Sequence, residues 1–510
     1  MCIRDSNWNA PQVVTIRGQD DQVADGPQQY RITIATPTSP DPNYNDKPDP
    51  PDLTISNTDN DSAGITVLAG ANLTTTEAGA SATFQVVLNS KPTASVSLGV
   101  SSSRTAEATV SPATLNFTTA NWNAPQTVTA TGVDDKVADG NQSFRIITNA
   151  ATSQDAKYQG IDVADVNMTN TDNDSAGITV APVSGLTTTE AGGSATFTVV
   201  LTSQPVADVT VPLRSSRSGE GTISPVSLTF TPTNYNSPRT VTVTGVNDNV
   251  ADGAQPYSVV VDPATSPDGK YAGIDASDVA ISNVDNDSAG FTVSLASGDT
   301  TEAGGTATFT VVLNSEPRGE VAIPISSSDP TEGTVSLTSI SFTPLNWSAP
   351  RQVTVTGAPD SVADGPQPYT ILLGVTTSTD AAYKGQDPND VALTNVDDDS
   401  AGITVSAAAG STTEAGGTTT FSIVLNSQPT SGVTVPVSSS NTSEGTIGQT
   451  SVVFTTTDWA SPKLVTVTGV NDDVADGEQP YSIITGAATS TDAVSYTHLR
   501  AHETKANLVC

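Results

Sequence analysis

The sequence contains 510 residues, enough for several domains, and has a formal net charge of −35 with only 19 Lys and Arg residues. Nucleic acids and anionic membranes are bound by clustered Lys and Arg, so this charge excludes both as partners and favours cations. Thr, Ser, Val, Ala, Gly and Asp dominate, which is typical of short strands and turns rather than helices. No apolar stretch reaches the roughly 18 residues of a membrane span, so we expect no membrane insertion in this segment.

Two sequence markers recur along the chain with one period. Asp-Asn-Asp-Ser-Ala-Gly begins at Asp59, Asp172 and Asp285, a variant begins at Asp397, and the spacings are 113, 113 and 112 residues. Val-Ala-Asp-Gly recurs with nearly the same period, and such a period indicates tandem structural repeats. The predicted units are a leading partial repeat (7–61), repeat 1 (62–174), repeat 2 (175–287), repeat 3 (288–399) and a trailing partial repeat (400–493).

The repeat pattern stops at both ends of the chain. Residues 1–6 and 494–510 do not continue it, and we interpret both as non-native tails derived from sequencing adapters, so that the repeats are part of a longer protein. All Cys and His residues lie in these tails, namely Cys2, Cys510, His498 and His502. Because residues 7–493 contain neither Cys nor His, the Ser–His–Asp and Cys–His mechanisms lack a base, and we expect neither a disulfide nor an enzyme.

Within a repeat, short segments carry apolar residues at alternate positions and are separated by Gly, Pro, Asn and Asp. This pattern predicts half-buried strands joined by turns. In chain order, the predicted strands of repeat 2 contain Ile178/Val180, Ala195–Leu201, Val209/Val211/Leu213, Val226/Leu228/Phe230, Val241/Val243, Tyr257/Val259/Val261 and Val279/Ile281. About seven strands in about 110 residues predict an immunoglobulin-like antiparallel β-sandwich. The predicted fold class is all-β, with tandem sandwiches in an elongated array.

Aromatic residues recur at four positions of the repeat. The first position holds Trp8, Trp122, Tyr235, Trp347 and Trp459; the second holds Phe84, Phe197, Phe309 and Phe421; the third holds Phe117, Phe230, Phe342 and Phe454; the fourth holds Tyr30, Phe144, Tyr257, Tyr369 and Tyr481. Both Phe positions lie on the apolar phase of a strand, which predicts core packing. The Trp position follows a turn, so core packing and an exposed role in ligand binding both stay open.

Acidic side chains recur at fixed places in every repeat. In repeat 2 they are Glu190 after the first predicted strand, Asp248 and Asp252 in the turn before the sixth, and Asp285 and Asp287 after the last. An antiparallel sandwich can gather these loops at one end, where the next repeat begins. Carboxylates at such short distances repel one another, and a hard divalent cation with six to eight oxygen ligands relieves the repulsion. The sequence therefore predicts a Ca²⁺ site at this end.

The three motifs together resemble the Calx-beta motif of sodium–calcium exchangers, an integrin and large bacterial surface proteins. They are Glu-x-Gly-Gly after the first strand, an Asp-rich turn before a Tyr-bearing strand, and a terminal Asp-x-Asp. The resemblance covers nearly all of residues 7–493 and implies calcium at the distal end of each sandwich. The implied ligands are Asp20, Asp21, Asp25, Asp59 and Asp61 in the leading partial repeat; Glu77, Asp134, Asp135, Asp139, Asp172 and Asp174 in repeat 1; Glu190, Asp248, Asp252, Asp285 and Asp287 in repeat 2; Glu302, Asp360, Asp364, Asp397, Asp398 and Asp399 in repeat 3; and Glu414, Asp472, Asp473 and Asp476 in the trailing partial repeat.

The repeats depart from the family pattern in mid-domain. The family usually has Asp-Gly-Thr-Ala there, whereas this chain has Glu-Gly-Thr at Glu220, Glu332 and Glu444, so no mid-domain ligand is assigned. Asp and Asn also form turns through their own side chains. Turn formation is therefore the alternative to metal binding, above all for Asp25 and its equivalents, which directly precede Gly. Asn60-Asp-Ser62 also matches a glycosylation acceptor motif.

Calcium clamped between closely linked sandwiches predicts a stiff chain in which each repeat adds about 30 to 40 Å. We therefore expect the structural stalk of a secreted or cell-surface, adhesin-like bacterial protein, with calcium ions as its partners. Two alternatives stay open. The repeats themselves bind a cell-surface protein or glycan through the Trp position, or they are non-catalytic modules of a larger extracellular enzyme.

Overall fold

The computed structural model describes residues 8–474, 477–491 and 505–509. All regular structure in these ranges is β-strand, which confirms the all-β prediction. The same residues include no helix long and apolar enough to cross a membrane. The chain divides into two compact units, Met1–Thr188 with Gly193–Gly245 and Pro256–Ser282, and Thr189–Gly192 with Val246–Gln255 and Asn283–Cys510.

Repeat 1 lies wholly in the first unit and forms two sheets. Its strands are β3 (Ile65–Leu68), β4 (Leu73–Thr76), β5 (Ser81–Leu88), β6 (Val96–Ser102), β7 (Ala108–Ser111), β8 (Thr114–Phe117), β9 (Gln126–Gly132), β10 (Gln142–Thr148), β11 (Thr152–Ser153) and β12 (Val166–Thr171), preceded in the leading partial repeat by the antiparallel pair β1 (Gln28–Ile32) and β2 (Leu53–Asn57). The sheet orders are β3-β5-β9-β7 and β11-β6-β10-β12-β4, with β8 also paired to β6. Apolar side chains from both sheets form one core, as in a β-sandwich.

Repeat 2 contains all seven predicted strands and two more. Its strands are β13 (Ile178–Ala181), β14 (Leu186–Thr189), β15 (Ser194–Leu201), β16 (Val209–Ser215), β17 (Gly221–Ser224), β18 (Ser227–Phe230), β19 (Arg239–Gly245), β20 (Gln255–Val261) and β21 (Val279–Val284). The additional strands are β14, Leu-Thr-Thr-Thr, and β17, Gly-Thr-Ile-Ser. Each contains only one aliphatic side chain, Leu186 or Ile223, so the periodic pattern could not predict them. Both matter for the site, since Glu190 directly follows β14 and Glu220 directly precedes β17.

Repeat 3 lies in the second unit and repeats the two-sheet arrangement. Its strands are β22 (Phe291–Val293), β23 (Thr300–Thr301), β24 (Thr306–Leu313), β25 (Val321–Ser327), β26 (Gly333–Val335), β27 (Ser339–Phe342), β28 (Arg351–Gly357), β29 (Gln367–Leu373), β30 (Thr377–Ser378) and β31 (Val391–Val396). The sheet orders are β22-β24-β28-β26 and β23-β31-β29-β25-β27, with β30 also paired to β25.

The trailing partial repeat also belongs to the second unit. Its strands are β32 (Ile403–Val405), β33 (Thr418–Leu425), β34 (Val433–Ser439), β35 (Gly445–Ile447), β36 (Ser451–Phe454), β37 (Lys463–Gly469), β38 (Pro480–Thr485), β39 (Thr489–Ser490) and β40 (Lys505–Val509). The last strand falls in the segment that we interpreted as a tail, and it pairs antiparallel with β38.

The recurring aromatic residues lie mainly in the cores. Every Phe of the second and third positions is at most 2% exposed, which confirms the core prediction. Trp122, Tyr235, Trp347 and Trp459 are half-buried and pack against the core of their own repeat. Trp8, in contrast, is 79% exposed.

In repeat 1, β3 and β4 follow one another closely but belong to different sheets, and β4 is the counterpart of the additional strand β14. The break contains Asn72 with a left-handed φ of 57°, a conformation that Asn tolerates better than most residues. After crossing between the sheets, β4 runs parallel to β12. This parallel pair positions the acidic residues described next.

Candidate metal centre

Parallel pairing brings the early Glu beside the terminal Asp. In repeat 1, Thr76 of β4 lies opposite Thr171 of β12, and in repeat 3 Thr301 of β23 lies opposite Val396 of β31. Parallel strands end at the same edge of a sheet, so the next residues in each pair are neighbours. The ladder continues for one more bond, because Glu77 N donates to Thr171 O at 3.1 Å.

A buried Asn attaches the Asp-rich turn to the same edge. Asn170 is 1% exposed, accepts from Thr75 Oγ1 at 2.8 Å, and donates through Nδ2 to Val133 O at 3.2 Å. A Cβ on Gly132 would lie 2.1 Å from Thr76 O, so only Gly lets the turn begin this close to β4. Three loops that are distant in sequence therefore meet at one end of the sandwich.

The first Asp of the terminal motif joins two of these loops through backbone amides. Asp172 Oδ2 accepts from Gly140 N at 2.6 Å, and its Oδ1 accepts from Asp174 N at 2.7 Å. The same two bonds occur at Asp59, Asp285 and Asp397. The turn-forming alternative is therefore correct for part of what these side chains do. The carboxylate oxygens of these Asp residues have further lone pairs that the two hydrogen bonds do not use.

Carboxylates converge in all three complete repeats. One oxygen from each member of a group lies within 4.8 Å of the others. The groups are Glu77, Asp134 and Asp174 in repeat 1; Glu190, Asp285 and Asp287 in repeat 2; and Glu302, Asp397 and Asp399 in repeat 3. Outside these tight groups lie Asp135, Asp139, Asp172, Asp248, Asp252, Asp360, Asp364 and Asp398.

The two partial repeats differ from the complete ones. In the leading partial repeat, Asp20, Asp21, Asp25, Asp59 and Asp61 line one cavity of about 160 Å³, without a Glu. In the trailing partial repeat, Glu414 is exposed, and Glu414, Asp472 and Asp473 belong to no such group within the described residues. Asp476 lies outside the described residues.

Several of the convergent oxygens are buried without a hydrogen-bond donor. Glu77, Glu190 and Glu302 are only 2% to 3% exposed. Asp174 Oδ2, Asp287 Oδ2 and both carboxylate oxygens of Glu302 have no partner at hydrogen-bonding geometry. Burying a carboxylate oxygen without a donor or cation is costly. These oxygens therefore have the environment of metal ligands.

The electrostatics agree with this interpretation. Burial raises the pKa of Glu77, Glu190, Asp174, Asp287 and Asp399 above the ordinary values, and neighbouring carboxylates raise it further. The effect is largest at Glu302, where burial, with Asp360 and Asp397 nearby, raises the pKa to about 7. A bound cation would favour the charged forms instead.

A fourth acidic position, to which the sequence pattern assigned no ligand role, is buried nearby. Glu107, Glu220 and Glu444 are 3% to 6% exposed. Glu107 O accepts from Val133 N at 2.9 Å, which places this residue beside the Asp-rich turn. Burial raises the pKa of Glu332, and Asp364 and Asp360 add to the shift. The recurring Glu-Gly-Thr marks this position in the other repeats, whereas in repeat 1 Glu107 is followed by Ala108 and Thr109.

The Asp-rich turn also contacts the repeat that follows it. A carbonyl oxygen of the turn accepts from a backbone N–H three residues after the end of the strand corresponding to β5, and the distances are 2.6 to 2.7 Å. The acceptor and donor pairs are Gln22 and Lys91, Lys136 and Gln204, Asn249 and Glu316, and Ser361 and Gln428. Each acidic end therefore lies directly at a joint between consecutive repeats.

Comparisons with known proteins agree with the family resemblance over part of the chain. The Calx-beta domain model matches two consecutive segments of this chain, residues 172–287 and 284–400. Crystal structures of CBD12 from CALX1.2 and of the calcium binding domain CBD12 of CALX1.1 are 16% identical to this chain. They cover 39% of this chain and 80% and 79% of their own, with TM-scores of 0.20. An I-band fragment of titin is 9% identical over 66% of this chain and 96% of its own, with a TM-score of 0.20. No curated protein matches the sequence.

Proposed function

We propose that the acidic ends of the repeats bind Ca²⁺ and that bound calcium stiffens the chain. In this proposal the chain serves as the non-catalytic stalk of a secreted or cell-surface, adhesin-like bacterial protein. The observation that carries the calcium site is the convergence of three carboxylates within 4.8 Å in each complete repeat. Buried oxygens without donors, on Asp174, Asp287 and Glu302, support it independently.

The donor set fits calcium better than other common metals. All candidate ligands are carboxylate oxygens, which are preferred by hard cations, whereas zinc and copper sites use His and Cys. The members of the three tight groups would hold the ion, with the Asp-rich turn and Glu107, Glu220 and Glu332 as further oxygen donors. The ion would supply positive charge where the chain concentrates negative charge.

Two features support a mechanical role for this ion. The terminal acidic motif of repeat 2 ends at Asp287, and β22 of repeat 3 already begins at Phe291. The Asp-rich turn that belongs to the site also bonds to the next repeat, as Asn249 O does to Glu316 N at 2.6 Å. A cation that orders this turn would therefore restrict motion at the joint.

The alternative of glycan binding has less support. It depends on the Trp position, and Trp122, Trp347 and Trp459 are half-buried against their cores. Stacking of a sugar requires an exposed aromatic face, which these residues offer only in part. Export and the adhesin context rest on the sequence resemblance and on the suitability of calcium outside cells.

The test uses the whole chain, with and without calcium. Addition of CaCl₂ to chelator-treated protein is expected to raise the melting temperature and to lengthen the particle in small-angle X-ray scattering, while MgCl₂ at the same concentration has a smaller effect. The triple variant Glu77→Gln, Glu190→Gln and Glu302→Gln should lose most of the response. A control with the same charge change is Asp162→Asn, Asp275→Asn and Asp387→Asn, all at exposed positions away from the three groups. Identical curves with chelator and with calcium would refute the proposal.

A further inference from the structure

Repeat 3 extends an arginine onto the acidic end of repeat 2. Arg318 Nη2 forms an ion pair with Asp252 Oδ2 in the Asp-rich turn. The Asp252 side chain is only 4% exposed, whereas that of Arg318 is 59% exposed. The guanidinium group therefore covers a carboxylate that belongs to the predicted calcium ligands.

The backbone holds Arg318 in this position. Its N–H donates to Asp380 Oδ2 at 2.7 Å, and two residues earlier Glu316 N donates to Asn249 O at 2.6 Å. The loop that carries the arginine is therefore attached both to its own repeat and to the turn that contains Asp252. The ion pair is built into the joint.

Asp252 is linked directly to the acidic group of repeat 2. The N–H of the next residue, Gly253, donates to Asp285 Oδ2 at 2.6 Å, and Asp285 belongs to the group with Glu190 and Asp287. The second oxygen of Asp252, Oδ1, is buried without a hydrogen-bond partner. Asp252 thus has one oxygen neutralised by a guanidinium and one oxygen still available to a cation.

The corresponding positions of the other repeats carry no charge. They are Thr93, Val206 and Thr430, and the residues equivalent to Asp252 in repeats 1 and 3, Asp139 and Asp364, are exposed. At the joint that follows repeat 2, Arg318 therefore supplies a positive charge at this position. The residues at the same position of the other joints, Thr or Val, supply none.

We propose that Arg318 takes the place of one calcium ion at the acidic end of repeat 2. This inference rests on the proposed calcium-binding function. A guanidinium is always charged and offers five N–H donors to carboxylates, so Arg318 neutralises Asp252 without an ion. Because one oxygen of Asp252 is occupied by Arg318, this carboxylate cannot act as a bidentate ligand. The joint that follows repeat 2 therefore binds one ion fewer than it would without the arginine.

The experiment counts calcium ions per chain by equilibrium dialysis and atomic emission, on the full-length protein. Arg318→Thr introduces the residue found at the same position in repeat 1, and it is expected to bind one more ion than the parent. Val206→Arg introduces the arginine at the joint that follows repeat 1, and it is expected to bind one ion fewer. Arg239→Thr, at the exposed start of β19, makes the same charge change away from the acidic ends and should leave the count unchanged.

The outcomes separate this inference from the function on which it rests. If the parent binds calcium but Arg318→Thr and Val206→Arg bind the same number of ions as the parent, Arg318 is an ordinary ion pair and the inference is wrong. If no variant and no parent binds calcium, the proposed function itself fails. Val206 and Arg318 are both exposed, so neither substitution disturbs a core.

Discussion

The acidic ends of repeat 1 and repeat 3 share one backbone arrangement but differ in basic residues. In repeat 1, Lys136 Nζ lies 2.6 Å from Asp134 Oδ2, and Arg104 Nη2 lies 3.0 Å from Glu107 Oε1. The same positions of repeat 3 hold Ser361 and Asp329, which bring no positive charge. The fold therefore fixes where the carboxylates meet, while a few neighbouring residues decide how much of their repulsion the protein relieves by itself.

The basic residues also affect the pKa shifts of the buried acids. In repeat 3, the pKa of Glu302 is raised to about 7 by burial and then by Asp360 and Asp397. In repeat 1, burial also raises the pKa of Asp174, but Lys136 opposes the shift. We therefore expect repeat 3 to depend more on an external cation than repeat 1 does, if the acidic ends bind calcium as proposed.

Removal of calcium is the most direct way to test this comparison. A ligand at 1,000 times its Kd stabilises a folded region by about 4 kcal/mol, which slows amide exchange by about 1,000-fold when exchange needs that region to open. We expect chelation to accelerate exchange at residues 300–302 and 397–399 more than at residues 75–77 and 172–174. Hydrogen–deuterium exchange with mass spectrometry measures both regions in one sample. Equal acceleration in the two regions would show that the basic residues of repeat 1 have no influence.

Glu302→Gln should remove most of the pH dependence of the calcium-free repeat 3. Because the pKa of Glu302 is about 7 in the folded protein and near 4.5 when unfolded, its contribution to stability is complete below pH 4.5. It is lost as the pH rises through 7, by on the order of 3 kcal/mol. The difference in unfolding free energy between parent and variant, measured in urea from pH 4.5 to 8, should follow this curve. Glu320→Gln, at an exposed position of the same repeat, is the control and should give a flat difference.

Arg104→Asn should make repeat 1 resemble repeat 3, which has no basic residue at this position. Asn occupies this position in the trailing partial repeat, at Asn441, and the substitution leaves the Glu107 carboxylate, which is 5% exposed, without its arginine. We expect the calcium-free protein to lose about 2 kcal/mol in this region. The stabilisation by calcium should increase at the same time. Urea unfolding with and without calcium gives both values, and an unchanged calcium effect would contradict the expectation.

Lys136→Ser should have the smallest effect, because the lysine and Asp134 are 57% and 44% exposed. Exposed ion pairs contribute about 0.5 kcal/mol or less, and salt screens them. We expect the calcium affinity of the group around Glu77 to rise about two-fold at low ionic strength. The gain should vanish in 0.5 M KCl when calcium is titrated by calorimetry. A gain that persists in high salt would point to a cause other than charge.

The sequence predicted the strands that alternate and missed those that do not. All seven predicted strands of repeat 2 are present, because each places apolar side chains on one face. The strand β14 has three Thr residues and gives no such pattern. It is held by tertiary pairing, which one segment of sequence does not reveal.

The candidate site was predictable where it repeats and not where it occurs once. Recurrence identified the early Glu and the terminal Asp pair, whereas the use of Asp172 by two backbone amides depends on the geometry of the turn. Arg318 lies 66 residues from Asp252 in sequence and has no counterpart in the other repeats, so no periodic signal connects the two. Only the folded arrangement places them together.

The hydrogen bond between each Asp-rich turn and the following repeat uses main-chain atoms alone. The residue that provides its carbonyl oxygen differs from joint to joint and is Gln22, Lys136, Asn249 or Ser361. A junction of this kind does not discriminate between copies, since every residue except proline carries the same amide group. Whole copies can therefore be duplicated, deleted or exchanged by recombination without designing a new junction. The number of copies is then free to change during evolution, while charged side chains such as Arg318 make individual junctions differ from one another.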